Sequence, residues 1–274
     1  MPTSHRLHVP GAYLYYELRG SGPVLMLIGH PMDSPPFAPI ASLLAADHTV
    51  VTYDPRGFGQ SAIDDPLQDA QPDLIADDVQ QVLNAVGKGP AEVFGSSGGA
   101  VTALALASRH PGSVRTIVAH EPPVGIFLPD ADEAEKGMRD IYETYRRDGI
   151  RAAWERFAAF TGMAMHPPQD GGKPSDAAAQ AGAVATNDPS DRFFAHGLLP
   201  VVLYRPDIEA LKNSSTRVVI AAGISTMGEF PHRTAAALSE RLGTPLIEFP
   251  GGHAGFASDP QEFASVLRRT LTVA

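Results

Sequence analysis

Short apolar runs alternate with segments of helical spacing along most of this 274-residue sequence. The runs are rich in apolar and β-branched residues, which is typical of buried strands. The segment 72–87 places its apolar residues on one helical face, opens with proline and closes with glycine. The predicted strands are 12–20 (a strand pair or hairpin), 24–30, 49–54, 91–95, 114–120, 216–223 and 245–249. This alternation predicts an α/β fold with a mostly parallel central sheet and helices on both faces.

The alternation stops after Glu121. Residues 122–212 carry helical patterns and proline-rich loops with no strand pattern, and the alternation returns at residue 216. We therefore predict a core formed by residues 1–121 and 213–274, interrupted by an inserted helical cap at 122–212. Within this cap, the stretch 167–183 is low in complexity and predicts a loop.

The composition excludes several classes of protein. The chain has no cysteine, which rules out disulfides, thiolate catalysis and cysteine-bound metals. Its net charge of −10, from scattered acidic residues, disfavours a nucleic-acid partner, because such a partner needs a basic patch. We expect a cytoplasmic protein without membrane contact, since neither a signal peptide nor a membrane span is visible. We expect no metal and no cofactor, because no motif for either is present. The sequence leaves open whether the protein forms a homodimer.

The pentapeptide GSSGG, residues Gly95–Gly99, lies between a predicted strand and a predicted helix. It fits the pattern G-x-S-x-G, in which a sharp turn lifts the central serine, here Ser97, clear of the sheet. Side chains two residues to either side of that serine would collide, so glycine is expected there. The helix beginning at Gly98 points free N–H groups at the site, which suits an oxyanion. An ordinary glycine-rich turn is the alternative, and Ser96 is interpreted as a neighbour of the nucleophile.

Polar residues that follow predicted strands are candidates for a shared site, because sites in parallel sheets form at the carboxyl ends of the strands. Ser97, Glu121 and His253 each follow such a strand, in that order along the chain. A serine is a useful nucleophile only beside a base that accepts its proton. The two glycines before His253 leave room for its imidazole to reach the serine. A histidine on a surface loop is the plainer alternative.

Four stretches of the chain resemble the α/β-hydrolase superfamily: 28–31 (IGHP), 53–61 (YDPRGFGQS), 94–111 (FGSSGGAVTALALASRHP) and 249–256 (FPGGHAGF). The resemblance covers nearly the whole length, including the inserted cap. It is specific to the superfamily and to no single enzyme within it. It implies the α/β-hydrolase fold, with a nucleophile and a catalytic histidine at the serine and histidine already singled out.

The acid of the implied catalytic triad departs from the superfamily's common pattern. Most members carry an aspartate after the strand that here is 216–223, but the following turn, up to Glu229, contains none. A minority carry the acid after the preceding strand, where this chain has Glu121. The carboxylate has to hold the correct tautomer of His253 and stabilise its imidazolium. We favour Glu121 over Glu229, and a salt bridge or a helix cap is the other role considered for Glu121.

An oxyanion hole needs two N–H donors. Gly98, the residue after the nucleophile, is expected to supply one. The resemblance implies that His30 supplies the other. The superfamily usually has a histidine at the start of this loop, and in this chain that position is occupied by Ile28. The His30 imidazole contacts either the substrate or its own loop. Asp33 and His120 flank the site and are assigned no role.

The predicted cap is rich in aromatic and methionine side chains at 154–165 and 193–199, which favours an apolar pocket. We predict a serine hydrolase that cleaves a carboxylic ester, a lactone or a similar small acyl substrate through an acyl-enzyme on Ser97. The expected partner is a small apolar acyl compound. Two alternatives stay open: a capped small-molecule receptor or binding protein, and peroxidase-like or lyase-like chemistry on the same fold.

Overall fold

The structure is a computed structural model that describes residues 2–163 and 188–272. The loop predicted at 167–183 lies outside the described residues. Elements are numbered along the described parts of the chain, where nine strands form one sheet. The strands are β1 (Thr3–Val9), β2 (Ala12–Arg19), β3 (Val24–Ile28), β4 (Thr49–Tyr53), β5 (Ala62–Ile63), β6 (Ala91–Ser96), β7 (Val114–His120), β8 (Arg217–Gly223) and β9 (Leu246–Phe249).

The sheet confirms the predicted α/β class. Its strand order is β1-β2-β4-β3-β6-β7-β8-β9, with β5 paired to β2. From β4 to β9 all neighbours in this order are parallel, whereas β2 is antiparallel to β1, β4 and β5. The carboxyl ends of β3, β6, β7, β8 and β9 therefore lie along one edge of the sheet.

The N-terminal strands differ from the sequence-based prediction. A strand pair is predicted within 12–20, but Ala12–Arg19 forms the single strand β2, and its partner is the preceding strand β1. The turn between the two contains Gly11, whose φ of 77° suits glycine. The strand β1 lies at the edge of the sheet and is mostly exposed, so it lacks the apolar run that marks a buried strand.

Helices cover both faces of the sheet. The described α-helices are α1 (Ala38–Leu44), α2 (Pro72–Val86), α3 (Gly98–Arg109), α4 (Ala131–Asp148), α5 (Ile150–Thr161), α6 (Pro189–Arg192), α7 (Leu198–Val202), α8 (Ile208–Asn213), α9 (Phe230–Leu242), α10 (Gly255–Ser258) and α11 (Pro260–Thr272). A π-helical turn lies at Phe193–Gly197, and short 3-10 turns lie at Pro35–Phe37, Gly125–Phe127 and Ile224–Thr226. Successive side chains of β3 point into opposite layers, as strand geometry requires. Met26 packs in the layer that holds α2 and α3, and Leu25 and Leu27 pack in the layer that holds α1 and α11.

Between β7 and β8 the described residues form helices and turns and contain no strand. Their apolar side chains make a third buried cluster, which includes Met138 and Phe157 and is shared with Phe230 of α9. The shared residue ties this helical region to the rest of the molecule through apolar packing. The boundaries of core and cap, drawn after residue 121 and before residue 213, stay a prediction.

Arg192 attaches the helical region to the loop that precedes α2. Its guanidinium donates hydrogen bonds to the carbonyl oxygens of Pro66, at 2.9 Å, and Gln68, at 3.0 Å. It also lies over the ring of Phe58, 5.7 Å from the ring centre. A planar guanidinium suits this position because it donates to two carbonyls and stacks on an aromatic face at the same time.

Candidate active site

Ser97 lies on the sharp turn between β6 and α3. Its φ of 58° and ψ of −125° form a conformation that L-residues rarely adopt. A Cβ atom on Gly95 would overlap the carbonyl oxygen of Gly99, and a Cβ atom on Gly99 would overlap the carbonyl oxygen of Ile28. Glycine at these two positions is therefore a steric requirement of the turn, which presents Ser97 at the carboxyl end of β6.

The N-terminus of α3 lies against the loop that follows β3. Gly98 is the first residue of this helix, and the first N–H groups of a helix have no partner inside it. A Cβ atom on Gly98 would lie 2.8 Å from the carbonyl oxygen of His30, so the two backbones are in close contact. The structure thus brings together the two segments that were predicted to supply oxyanion donors.

Glu121 and His253 meet at the same edge of the sheet. One carboxylate oxygen of Glu121 lies 2.6 Å from Nδ1 of His253. The other accepts hydrogen bonds from the N–H of Gly223, at 2.9 Å, and from the hydroxyl of Thr226. Glu121 is completely buried and has a φ of 51°, which is unusual for a residue with a side chain. Both oxygens of this carboxylate are engaged, so its orientation toward the imidazole is fixed.

The environment of Glu121 stabilises its ionised form. Burial alone would raise the pKa of this carboxyl. The hydrogen bond to His253, the neighbouring His120 and the hydroxyl of Thr226 act in the opposite direction and lower the pKa to about 2. The group next to His253 is therefore a carboxylate at any pH near neutrality.

Glu229, the alternative acid, occupies a different position. It is the residue that precedes α9, and its N–H donates to the carbonyl oxygen of Thr226 at 2.9 Å. Its side-chain stem lies against Gly162, where a Cβ atom would be 3.0 Å from Cγ of Glu229. The carboxylate that the structure brings to His253 is that of Glu121.

The imidazole of His30 is buried beside the serine turn. The residue is 2% exposed, and neither ring nitrogen has a hydrogen-bond partner in the described parts of the chain. The ring packs edge-on against Phe58 at 5.3 Å, and Gly197 of the π-helical turn covers it. Burial, together with the positive charge of Arg192, lowers the pKa of His30 to about 3. The ring is therefore neutral at physiological pH, and it borders both the loop and the cavity.

A second buried histidine, His120, lies behind the pair formed by Glu121 and His253. It packs against the rings of Phe94, Phe249 and Phe263, at 5.9, 6.0 and 5.5 Å. Its ring nitrogens are buried and unpartnered within the described residues. Burial lowers the pKa of His120 to about 4. This histidine is part of an aromatic cluster, which sequence position did not reveal.

A cavity of about 410 Å³ opens above the serine turn. Ser97, Gly98, Glu121, His253 and His30 border its base. Apolar side chains of the helical region and of α9 form much of the remaining wall, among them Met138, Trp154, Phe157, Phe193, Leu198 and Phe230. The volume and the apolar wall are typical of a small-molecule site.

Neighbouring aromatic residues of the predicted cap play different parts. Phe193 lines the cavity, whereas Phe194 is fully buried in the third apolar cluster. Trp154 and Phe157 line the cavity, and Phe160 packs against Phe230 with ring centres 5.2 Å apart. Sequence spacing could not separate these roles, because neighbouring residues at helix turns face different surroundings.

The described residues contain neither a metal-binding cluster nor a membrane-crossing helix. No group of three or more histidine, aspartate or glutamate side chains is placed to hold a metal ion there. In the same residues, no helix combines the length and the apolar character needed to cross a membrane.

A serine on a strand-to-helix turn, beside a carboxylate–histidine pair at the edge of a parallel sheet, defines a class of proteins with a common fold. The chain belongs to the α/β hydrolase fold family, whose sequence profile matches residues 22–196. It is also 33% identical over 275 residues to an uncharacterized hydrolase, YraK, of Bacillus subtilis (strain 168). This alignment covers 97% of the present chain and 94% of YraK.

Two solved structures are similar in fold. A thermophilic esterase from Thermogutta terrifontis matches 99% of this chain and 98% of its own, with a TM-score of 0.70 and 20% identity. Est816, described as an N-acyl homoserine lactone degrading enzyme, matches 97% of this chain and 99% of its own, with a TM-score of 0.71 and 19% identity. At this level of identity the likeness shows the fold alone.

Proposed function

We propose that this protein is a serine hydrolase that cleaves carboxylic esters or lactones through an acyl-enzyme on Ser97. The observation that carries the proposal is the hydrogen bond of 2.6 Å between Glu121 and Nδ1 of His253, next to a strained serine turn at the base of an apolar cavity. Carboxylate, imidazole and serine in this order are the groups needed to activate a hydroxyl for attack on a carbonyl.

The proposed reaction has two halves. In the first, Oγ of Ser97 attacks the carbonyl carbon while Nε2 of His253 accepts its proton, and the Glu121 carboxylate stabilises the resulting imidazolium. The N–H groups of Gly98 and His30 bind the oxyanion. His253 then returns the proton to the departing alkoxide, which leaves as an alcohol. In the second half, water attacks the acyl-enzyme by the same route, and an acid is released.

The cavity wall supports a neutral, largely apolar substrate. Among the described residues that line the cavity there is no lysine or arginine, while Asp33 and Glu121 contribute carboxylates. An anionic substrate would meet like charge and no cation to pair with. The esterase and lactone-degrading activities named for the two structural neighbours agree with an acyl substrate. The cytoplasmic location expected from the sequence stays a prediction.

Labelling of the nucleophile tests the proposal directly. We expect a fluorophosphonate probe to phosphonylate Ser97 with loss of fluoride, and p-nitrophenyl butyrate to be hydrolysed. The variant Ser97→Ala is expected to lose both reactions, with kcat reduced by about 10⁴-fold or more. Ser96→Ala is the matched control and is expected to keep both, with the labelled peptide identified by mass spectrometry.

Three results would contradict this proposal. Near wild-type turnover by a folded Ser97→Ala variant would remove the serine from the mechanism. Transfer of the label to Ser96 would move the nucleophile by one residue. Tight binding of a ligand with negligible turnover of any ester would favour a capped binding protein.

A further inference from the structure

Asp33 lines the cavity, and in the described parts of the chain its side chain has no hydrogen bond or ion pair to another residue. The residue follows β3, in the same loop as His30, and is only partly exposed. Its own backbone N–H is the one group that acts to lower the pKa of its carboxyl, against burial and the charge of Asp54. A carboxylate has room for about four hydrogen bonds, so most of its acceptor positions are free.

The neighbouring carboxylate of Asp54, in the loop that follows β4, is by contrast fully hydrogen-bonded. One of its oxygens accepts from the N–H of Ser34, at 2.8 Å, and from the hydroxyl of Ser34, at 2.6 Å. The other accepts from the N–H of Gln60 at 2.8 Å. Asp54 thus braces two loops and is 2% exposed. The Asp33 side chain accepts no hydrogen bond from another of the described residues, and the negative charge of Asp54 acts on it.

The surroundings of Asp33 disfavour its ionised form. Burial raises the pKa of Asp33, and the negative charge of Asp54 raises it further. Its stem lies close to Gly59, where a Cβ atom would be 3.1 Å from Cβ of Asp33. The group is therefore partly desolvated, and a donor from a bound molecule would recover the lost hydration.

The other carboxylate of the cavity is not available to a ligand. Glu121 uses both oxygens on Gly223, Thr226 and His253. No arginine or lysine lines the cavity among the described residues, so no ion pair within the wall competes for Asp33. Asp33 is therefore the carboxylate through which the described wall can recognise a polar group.

We propose that Asp33 is a subsite for a hydroxyl group that the substrate carries in addition to the bond that is cleaved. Calling the bound molecule a substrate rests on the proposed hydrolase function. Binding of a hydroxyl group at Asp33 does not depend on turnover. A hydroxyl donates a hydrogen bond without bringing a charge into an apolar cavity. An ammonium group would have to be desolvated there, which is costly, and an anion would be repelled by the carboxylate.

Binding can be measured without catalysis, because Trp154 is the one tryptophan of the chain and lines the cavity. The experiment uses Ser97→Ala protein and follows tryptophan fluorescence during titration. The probes are 4-butylcyclohexanol, its methyl ether, the parent butylcyclohexane and 4-butylcyclohexylamine in its ammonium form. Each is titrated into the protein with Asp33 intact, with Asp33→Leu and with Asp33→Asn.

We expect Asp33→Leu to weaken binding of the alcohol about tenfold or more, which is the loss of a hydrogen bond to a charged acceptor. Binding of the ether and of the hydrocarbon should stay unchanged. Asp33→Asn keeps the size and one acceptor, so its loss for the alcohol should be intermediate, and it serves if the leucine variant does not fold. Asp132→Asn, at an exposed carboxylate on α4, is the control and should change none of the four titrations.

Equal losses for alcohol and ether in both Asp33 variants would overturn the subsite. Tighter binding of the ammonium than of the alcohol, removed by Asp33→Leu, would overturn its assignment to a hydroxyl. An inactive wild-type protein that still shows the selective loss in Asp33→Leu would overturn the proposed hydrolase function and leave the subsite standing.

Discussion

The carboxylate of Glu121 lies 2.6 Å from Nδ1 of His253, although 132 positions separate the two residues along the chain. The contact exists because β7, which ends just before Glu121, pairs in parallel with β8, and β8 pairs in parallel with β9. The loop after β9 then carries His253 back over the edge of the sheet. The two side chains are thus held by the sheet and not by their local sequence.

The first prediction separates the two candidate acids. Glu121→Gln keeps the shape but leaves the imidazolium of His253 without a countercharge, so kcat should fall by about two to four orders of magnitude. Glu229→Gln is the matched control and should stay close to wild type. Steady-state kinetics on one activated ester, with circular dichroism to verify folding, decide the point. The opposite ranking of the two variants would return the acid to the superfamily's commoner position.

The second prediction concerns the steric requirement at the serine turn. A methyl group at position 99 would overlap the carbonyl oxygen of Ile28, and backbone cannot move aside as a side chain can. Gly99→Ala should therefore lower the free energy of unfolding by about 1–3 kcal/mol in urea titrations. Gly252→Ala is the control, because a Cβ atom there meets nothing closer than 3.5 Å. Equal stability of both variants would show that the turn has room to relax.

The third prediction follows from the two buried neutral histidines. The pKa is lowered to about 3 for His30 and to about 4 for His120, in both cases first by burial. Below pH 6.5 these two histidines therefore bind protons in the unfolded chain but stay neutral in the folded protein. The free energy of unfolding is highest above pH 6.5 and decreases as the pH falls toward the lowered pKa values. Between pH 6.5 and 5 each histidine should approach a contribution of about 1.4 kcal/mol per pH unit.

Urea titrations across that pH range measure this slope. His120→Asn should remove one of the two contributions, and His8→Asn, at an exposed histidine, should leave the slope as it is. A slope unaffected by His120→Asn would mean that this ring is protonated in the folded protein.

The fourth prediction concerns the attachment of the helical region. Arg192 donates to the carbonyl oxygens of Pro66 and Gln68 from one planar group. Arg192→Lys should raise KM more than it lowers kcat and should speed proteolysis of the protein, because an ammonium cannot match the fork of two donors and the stack on Phe58. Arg205→Ala, at an exposed arginine, is the control. Unchanged KM and unchanged proteolysis in Arg192→Lys would show that these bonds do not hold the cavity wall in place.

Local sequence was enough for the features that depend on neighbouring residues. The alternation of apolar runs and helical segments predicted the α/β class, which is confirmed, because each pattern reflects the geometry of its own element. Glycine at position 95 was equally readable, since the collision it avoids, with the carbonyl oxygen of Gly99, occurs within five residues. The collision that Gly99 avoids is with Ile28 of β3, a contact that exists only in the tertiary structure. The edge strand β1 was missed, because an exposed strand carries no apolar signature.

Choices between distant residues could be made only in the tertiary structure. The sequence by itself determined that a serine, a carboxylate and a histidine follow strand ends, because strand ends are a local property. It left Glu121 and Glu229 as rivals, and it gave no role to Asp33. Which carboxylate meets His253, and which one lines the cavity without a hydrogen bond from another described residue, depends on strand order and loop packing. Those are set by burial of the whole sheet between its helices, a property of the complete fold that no short stretch encodes.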